Sequence, residues 1–201
     1  MDGNQIAYAQ PPAGNLWNQN NYVITKKALR LVDQYYIEDQ SGRRLAYSKQ
    51  KFWKLKEDIR IYTDESKNQE LFRVMQAQII DAWGKFDVID SATNTSLGFF
   101  RRKALMSEFV ADEWEMYNAY GQMVGRVAEG TGRGLLRKFL PFIPEKLTME
   151  LNGQPVVQID QRFKIIGDIW DINCHSLPPD FDRRVLLAGV ILMAMIERQR
   201  K

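Results

Sequence analysis

The sequence holds a single cysteine, Cys174, and a single histidine, His175. One cysteine excludes an internal disulfide framework and suits a reducing compartment without establishing it. With the only thiol and the only imidazole side by side, no metal-ligand set can be completed from those residue types. Adjacent side chains on an extended strand point to opposite faces, so the two do not form a nucleophilic dyad either. An excess of charge of one sign is also missing: 28 Lys and Arg stand against 25 Asp and Glu, a net +3 spread along the chain. That balance permits an anionic partner without implying one. With no recognition helix or stacking motif, nucleic-acid binding is not expected.

The opening stretch, MDGNQIAYAQPPAGNLWNQNN, has no basic start followed by an apolar core, so no secretory signal is expected and a cytoplasmic location is. Rich in Asn, Gln, Gly and Pro, residues 1–21 read as a flexible lead-in to one domain covering residues 22–201. Only one long apolar run exists, the twelve residues from Val185 to Ile196. At ~1.5 Å per residue such a run covers about 18 Å, well short of the ~30 Å hydrocarbon layer. It therefore reads as a helix buried in protein, residues 182–198, capped by Asp182 with Asp180 before it and ending on Arg198, Arg200 and Lys201.

The rest of the chain alternates apolar with polar. YYIEDQSGRRLAYS, FDVIDSATNTSLGFF, WEMYNAYGQMVGRV and LTMELNGQPVVQI each read as strand, polar turn, strand, with turns at Asp39–Gly42, Asp90–Ser96, Asn118–Gly121 and Asn152–Gly153. Further strands at Tyr22–Lys26, Asp58–Thr63, Leu71–Gln78 and Phe163–Asn173 bring the count to about twelve. So many antiparallel strands hide their edges by closing. The fold class expected is mainly β, a barrel of about twelve antiparallel strands around the buried C-terminal helix.

A meander of such hairpins ending in PPDFDRRVLLAGVILMAMIE resembles the tubby C-terminal-like superfamily, which includes the phospholipid scramblases and the LURP-one-related proteins. The resemblance implies a twelve-stranded barrel threaded by a hydrophobic helix and a non-enzymatic role. Where scramblases carry an acidic calcium-binding loop, this chain has DINCHSLPPDFD, so the resemblance implies calcium at Asp171, Asp180 and Asp182. Ile169 and His175 depart from that pattern, and a loop short of carboxylates binds calcium weakly. The residues also allow a second reading, in which Asp180 and Asp182 cap the helix and Asp171 ends a strand. No other cofactor is expected.

Three basic clusters are candidate lipid contacts. In GTGRGLLRKFLPFIPEK, Arg133, Arg137 and Lys138 interleave with Leu135, Leu136, Phe139 and Leu140, a pattern suited either to a membrane interface or to plugging a barrel end. Gly130, Gly132 and Gly134 lack the flanking strand and helix of a phosphate-binding loop. Lys49, Lys51 and Lys54 surround Phe52 and Trp53, and Arg101 and Arg102 follow Phe99 and Phe100. Tubby domains bind phosphoinositide headgroups through basic residues on the barrel exterior, so the resemblance implies an anionic phospholipid surface as partner, although no tubby lipid motif is matched residue by residue. The alternative is a solvated strand face on a protein-interaction module, whose anchors would come from Trp17, Trp53, Trp83, Trp114 and Trp170.

Overall fold

A computed structural model describes residues 15–29, 32–51, 58–77, 84–102, 113–129, 146–163, 167–179 and 181–199. Twelve strands run in chain order: β1 (Asn21–Ala28), β2 (Val32–Glu38), β3 (Arg44–Lys51), β4 (Ile59–Tyr62), β5 (Glu70–Gln76), β6 (Gly84–Asp90), β7 (Ser96–Arg102), β8 (Glu113–Asn118), β9 (Met123–Glu129), β10 (Lys146–Leu151), β11 (Gln154–Phe163) and β12 (Asp168–Asn173). Each pairs antiparallel with its sequence neighbours, and β12 pairs with β1 to close the barrel. Closure leaves no free sheet edge. The one α-helix among the described residues, α1 (Arg183–Gln199), follows β12.

Alternation decides which side chains face inward. On β1, Tyr22, Ile24 and Lys26 are buried, while Val23 and Thr25 between them are only half-buried. Against this inner lining lies α1, on which every residue from Arg183 to Met195 is buried. A helix apolar on all sides finds apolar partners in every direction only inside a closed wall. At Gly189 the helix comes close to the wall: a Cβ there would lie 2.5 Å from Phe100 Cζ, so the absent side chain makes room for the Phe100 ring.

The turns are built by one repeated device at what we call the hairpin end. Asp39 Oδ1 accepts the amides of Ser41 and Arg43 at 2.9 and 3.0 Å, Asp90 Oδ1 those of Ala92 and Thr93 at 2.8 and 2.9 Å, and Asn118 Oδ1 those of Tyr120 and Gln122, both at 3.0 Å. A short acceptor at the first turn position satisfies amides that the ladder cannot. Asn152 and Gly153, with φ of 51° and 75°, make the tightest turn.

Two boundaries differ from the sequence reading. The fold begins before residue 22: Asn15–Trp17 form a 3₁₀ turn, and Trp17 is buried edge-on against Phe72, 5.6 Å between centroids. The stretch from Phe163 to Asn173 is not one strand, because β11 ends at Phe163 and β12 starts at Asp168. Gly167 explains the break. Its φ is 96°, and a Cβ there would stand 2.0 Å from the Lys26 carbonyl oxygen.

Candidate functional site

The meander sorts the chain between two ends. The starts of odd strands and the ends of even strands form the hairpin end, whose turns begin with Asp39, Asp90 and Asn118. The opposite rim collects the ends of β3, β7 and β9 and the start of β10. Lys49 is exposed near the end of β3 and shares the outer face with Gln34, its register partner. Lys51 closes the same strand two residues on. Arg101 and Arg102 close β7, both half-buried, with Arg102 lying 5.8 Å from the Trp114 ring centroid. Lys54, Arg133, Arg137 and Lys138 lie outside the described residues. Their segments leave from the ends of β3 and β9 and return to the starts of β4 and β10, all at this rim.

Just inside the same rim a buried ion cluster sits in the wall. Lys26 Nζ lies 3.8 Å from Asp33 Oδ2 and 3.7 Å from Asp168 Oδ2, with Lys26 and Asp33 each 5% exposed. Tyr35, fully buried beside them, has its hydroxyl pushed well above the usual range by burial first and by Asp168 second. Sequence reading passed over this cluster, although its signal was present: Lys26 continues the inward Tyr22–Ile24 alternation.

At the hairpin end a second buried network fastens α1. Asp182 Oδ1 accepts the Arg184 amide at 2.9 Å, capping the helix. The Arg184 guanidinium returns to Asp182, 2.6 Å from Oδ2, and reaches across to Asp90 Oδ2 at the end of β6. Burial pushes the Asp90 carboxyl up, but the Thr93 amide, Arg184 and the Ala92 amide outweigh it and hold the group below the usual carboxylate range. Arg183 satisfies the loop instead, donating to the carbonyls of Pro178, Pro179 and Phe181 at 3.0, 3.3 and 3.0 Å.

Of the three candidate calcium ligands, the two described residues are thus engaged by arginines. Asp171 lies on the outer face of β12 and pairs with Arg162 through both oxygens, Oδ1 at 2.7 Å from Nη2. Asp182 is 2% exposed and pairs with Arg184. Asp180 lies outside the described residues. Among the described residues no group of three or more His, Cys, Asp or Glu could hold a metal ion. Cys174 points inward and donates to the Gln19 carbonyl at 3.2 Å, and burial, partly offset by Arg183, pushes its thiol up to about 11. His175 is exposed, within 3.3 Å of the Asn21 side chain. Trp17, Trp114 and Trp170 are core residues and not surface anchors; Trp53 and Trp83 lie outside the described residues.

The outer face of β2–β4 carries a feature that sequence reading missed. Register aligns Tyr36 with Tyr47 and Tyr47 with Tyr62, a cross-strand row of three tyrosines. The hydroxyl of Tyr36 donates to Gln34 Oε1 at 3.2 Å, and Gln34 Nε2 donates to the Tyr47 hydroxyl at 3.1 Å. Only the pairing register, invisible in the linear pattern, brings these rings together.

Residues 44–199 match the model of the LURP-one-related family. No curated protein sequence matches the chain significantly. Among solved structures, the X-ray structure of an Arabidopsis thaliana protein is similar, with a TM-score of 0.53 and 12% identity, covering 92% of this chain and 95% of that one. At that identity the likeness speaks to the fold, which agrees with the closed barrel. No helix among the described residues is long and apolar enough to cross a membrane. The chain belongs to the LURP-one-related family.

Proposed function

We propose that this LURP-one-related barrel is a non-enzymatic, peripheral binder of anionic phospholipid, meeting the membrane from the cytoplasmic side with the rim opposite its tight hairpins. The observation that supports this reading most is the convergence of the basic clusters. Lys49, Lys51, Arg101 and Arg102 end strands at that rim, and the segments holding Lys54, Arg133, Arg137 and Lys138 start and finish there. Lys49 and Lys51 of β3 and Arg101 and Arg102 of β7, some fifty residues apart in sequence, thereby end at one rim.

Each Lys or Arg near an anionic surface contributes ~1 kcal/mol, decaying within a Debye length of about 8–10 Å. Contributions are unequal here. Arg102 is half-buried over Trp114 and Arg101 also meets Tyr117, whereas Lys49 is exposed, so Lys49 carries more of the attraction than either arginine. Binding proceeds without calcium in this reading, because Arg162 and Arg184 already hold Asp171 and Asp182. Co-sedimentation with neutral and phosphatidylserine-containing liposomes, in calcium and in chelator across a salt series, tests it. Binding that needs anionic lipid, weakens with salt and ignores the chelator supports the reading. Absence of binding under every condition rejects it and leaves a protein-interaction module.

A further inference from the structure

The β1–β2 turn stands at the rim that the lipid reading turns toward the membrane, since β1 ends and β2 starts there. It carries Leu29, one of three strongly exposed large apolar side chains among the described residues: Leu29 is 45% exposed, Tyr120 73% and Met123 49%. The turn is held from several sides. The Leu29 amide donates to the Val32 carbonyl at 2.9 Å, Lys26 Nζ lies 3.8 Å from Asp33 Oδ2 across the base of the turn, and Gly167 lies close against the Lys26 carbonyl. The buried positions nearest the turn are thus an ion pair, and turning Leu29 inward would set it against charge and not against apolar core. A tip fixed in this way presents its apolar side chain with little ordering cost on binding.

Cations stand just below that tip on the outer wall. Register aligns Lys27 with Gln34 and Gln34 with Lys49, so two exposed lysines occupy one cross-strand row, about 10 Å apart at two strand spacings. Lys27 is kept on the wall by Tyr36, its Nζ lying 4.8 Å from the ring centroid. Leu29 comes two residues after Lys27, at most about 7 Å farther toward the rim at ~3.3 Å per residue. Interfacial elements place cations at the headgroups and bury their apolar side ~5–10 Å into the acyl boundary. The offset between Lys27 and Leu29 matches that depth. The other two exposed apolar residues lack such company: residues 118–123, which hold Tyr120 and Met123 at the hairpin end, contain no Lys or Arg.

We propose that Leu29 is a membrane-inserting residue of this barrel, entering the acyl boundary of an anionic bilayer while Lys27 and Lys49 meet its headgroups. Insertion rests on the lipid reading, which surface charge alone would also satisfy, so the test separates the two. A nitrobenzoxadiazole probe is attached to Leu29→Cys in the full chain, with Tyr120→Cys as the opposite-end control and the native chain, whose Cys174 is buried, as the labelling blank. Each is mixed with phosphatidylcholine vesicles, with and without phosphatidylserine and doxyl-labelled acyl chains. On phosphatidylserine vesicles the probe at 29 should brighten, shift to the blue and be quenched by the doxyl lipid, and the probe at 120 should do none of these. In co-sedimentation of unlabelled protein, Leu29→Ser should weaken binding about fivefold, a loss that persists at salt high enough to screen the lysines, and Leu29→Phe should retain native binding. Sedimentation of the native chain together with an unquenched probe at 29, quenching of the probe at 120, or native binding by Leu29→Ser would overturn the insertion and leave the lipid reading standing. Failure of the native chain to sediment with any vesicle would reject the lipid reading and the insertion with it.

Discussion

Replacing Gly189 by alanine sets two effects of opposite sign against each other. In an isolated helix, Gly→Ala stabilises by ~1 kcal/mol. Here the new Cβ would meet Phe100 Cζ at 2.5 Å and Cε1 at 2.9 Å. Carbon atoms pack best at ~3.5–4.0 Å, so the ring must retreat by about 1 Å. Phe100 is 1% exposed within a closed wall and has little space to retreat into. Overpacking of this kind costs ~1–3 kcal/mol, so the net result is a loss of up to about 2 kcal/mol. For a chain of this length each kcal/mol lowers Tm by ~2–4 °C, which calorimetry resolves. In a Phe100→Leu background the clash disappears and alanine at 189 should be neutral or stabilising, a coupling of at least about 1 kcal/mol in the double-mutant cycle. A rise in Tm on Gly189→Ala in the native background would refute the packing of α1 against β7.

Arg184→Leu leaves Asp182 and Asp90 buried without their cation and should destabilise by roughly 3–5 kcal/mol in urea titrations. Because the folded Asp90 carboxyl lies below its unfolded value, its contribution is fully present above the ordinary carboxylate range and is lost as pH falls through the folded pKa; urea midpoints should fall on the acid side, and less steeply in Arg184→Leu. With its thiol pushed up to about 11 and fully buried, Cys174 should react with Ellman's reagent only on unfolding, and prompt native-state labelling would contradict its inward placement. Truncation before Asp180 removes the helix that fills the barrel and should give an insoluble or unfolded chain; a soluble, cooperatively melting truncate would contradict the helix-filled core.

The fold was largely legible because its signals are local. Hairpins with Asp or Asn at the turn start, period-two strands, and one run apolar on all sides each carry their instruction within a dozen residues. Where local pattern gave out, distant contacts decided. Trp17 follows a polar, glycine-rich stretch that looks like a tail, yet it packs on Phe72 across more than fifty residues of sequence. The break at Gly167 is set by a carbonyl on β1, which no reading of β11 and β12 alone contains. The candidate site was legible only in part. Basic clusters are visible in sequence, but their sharing of one rim follows from strand direction, and the tyrosine row follows from register. Asp171 and Asp182 were legible as acids, whereas their guanidinium partners could not be assigned without the pairing of β11 with β12 and the docking of α1.

Under the proposed function one end of this barrel, and not the other, faces anionic lipid. Charge reversal at each end, compared in the same co-sedimentation assay, tests it most directly: Lys49→Glu with Lys51→Glu at the proposed membrane rim, against Arg43→Glu with Lys67→Glu at the hairpin end. The first pair should reduce binding to phosphatidylserine liposomes by tenfold or more at low salt, and the second should leave it within about twofold. Equal losses from both pairs, or a loss confined to the hairpin end, would contradict it.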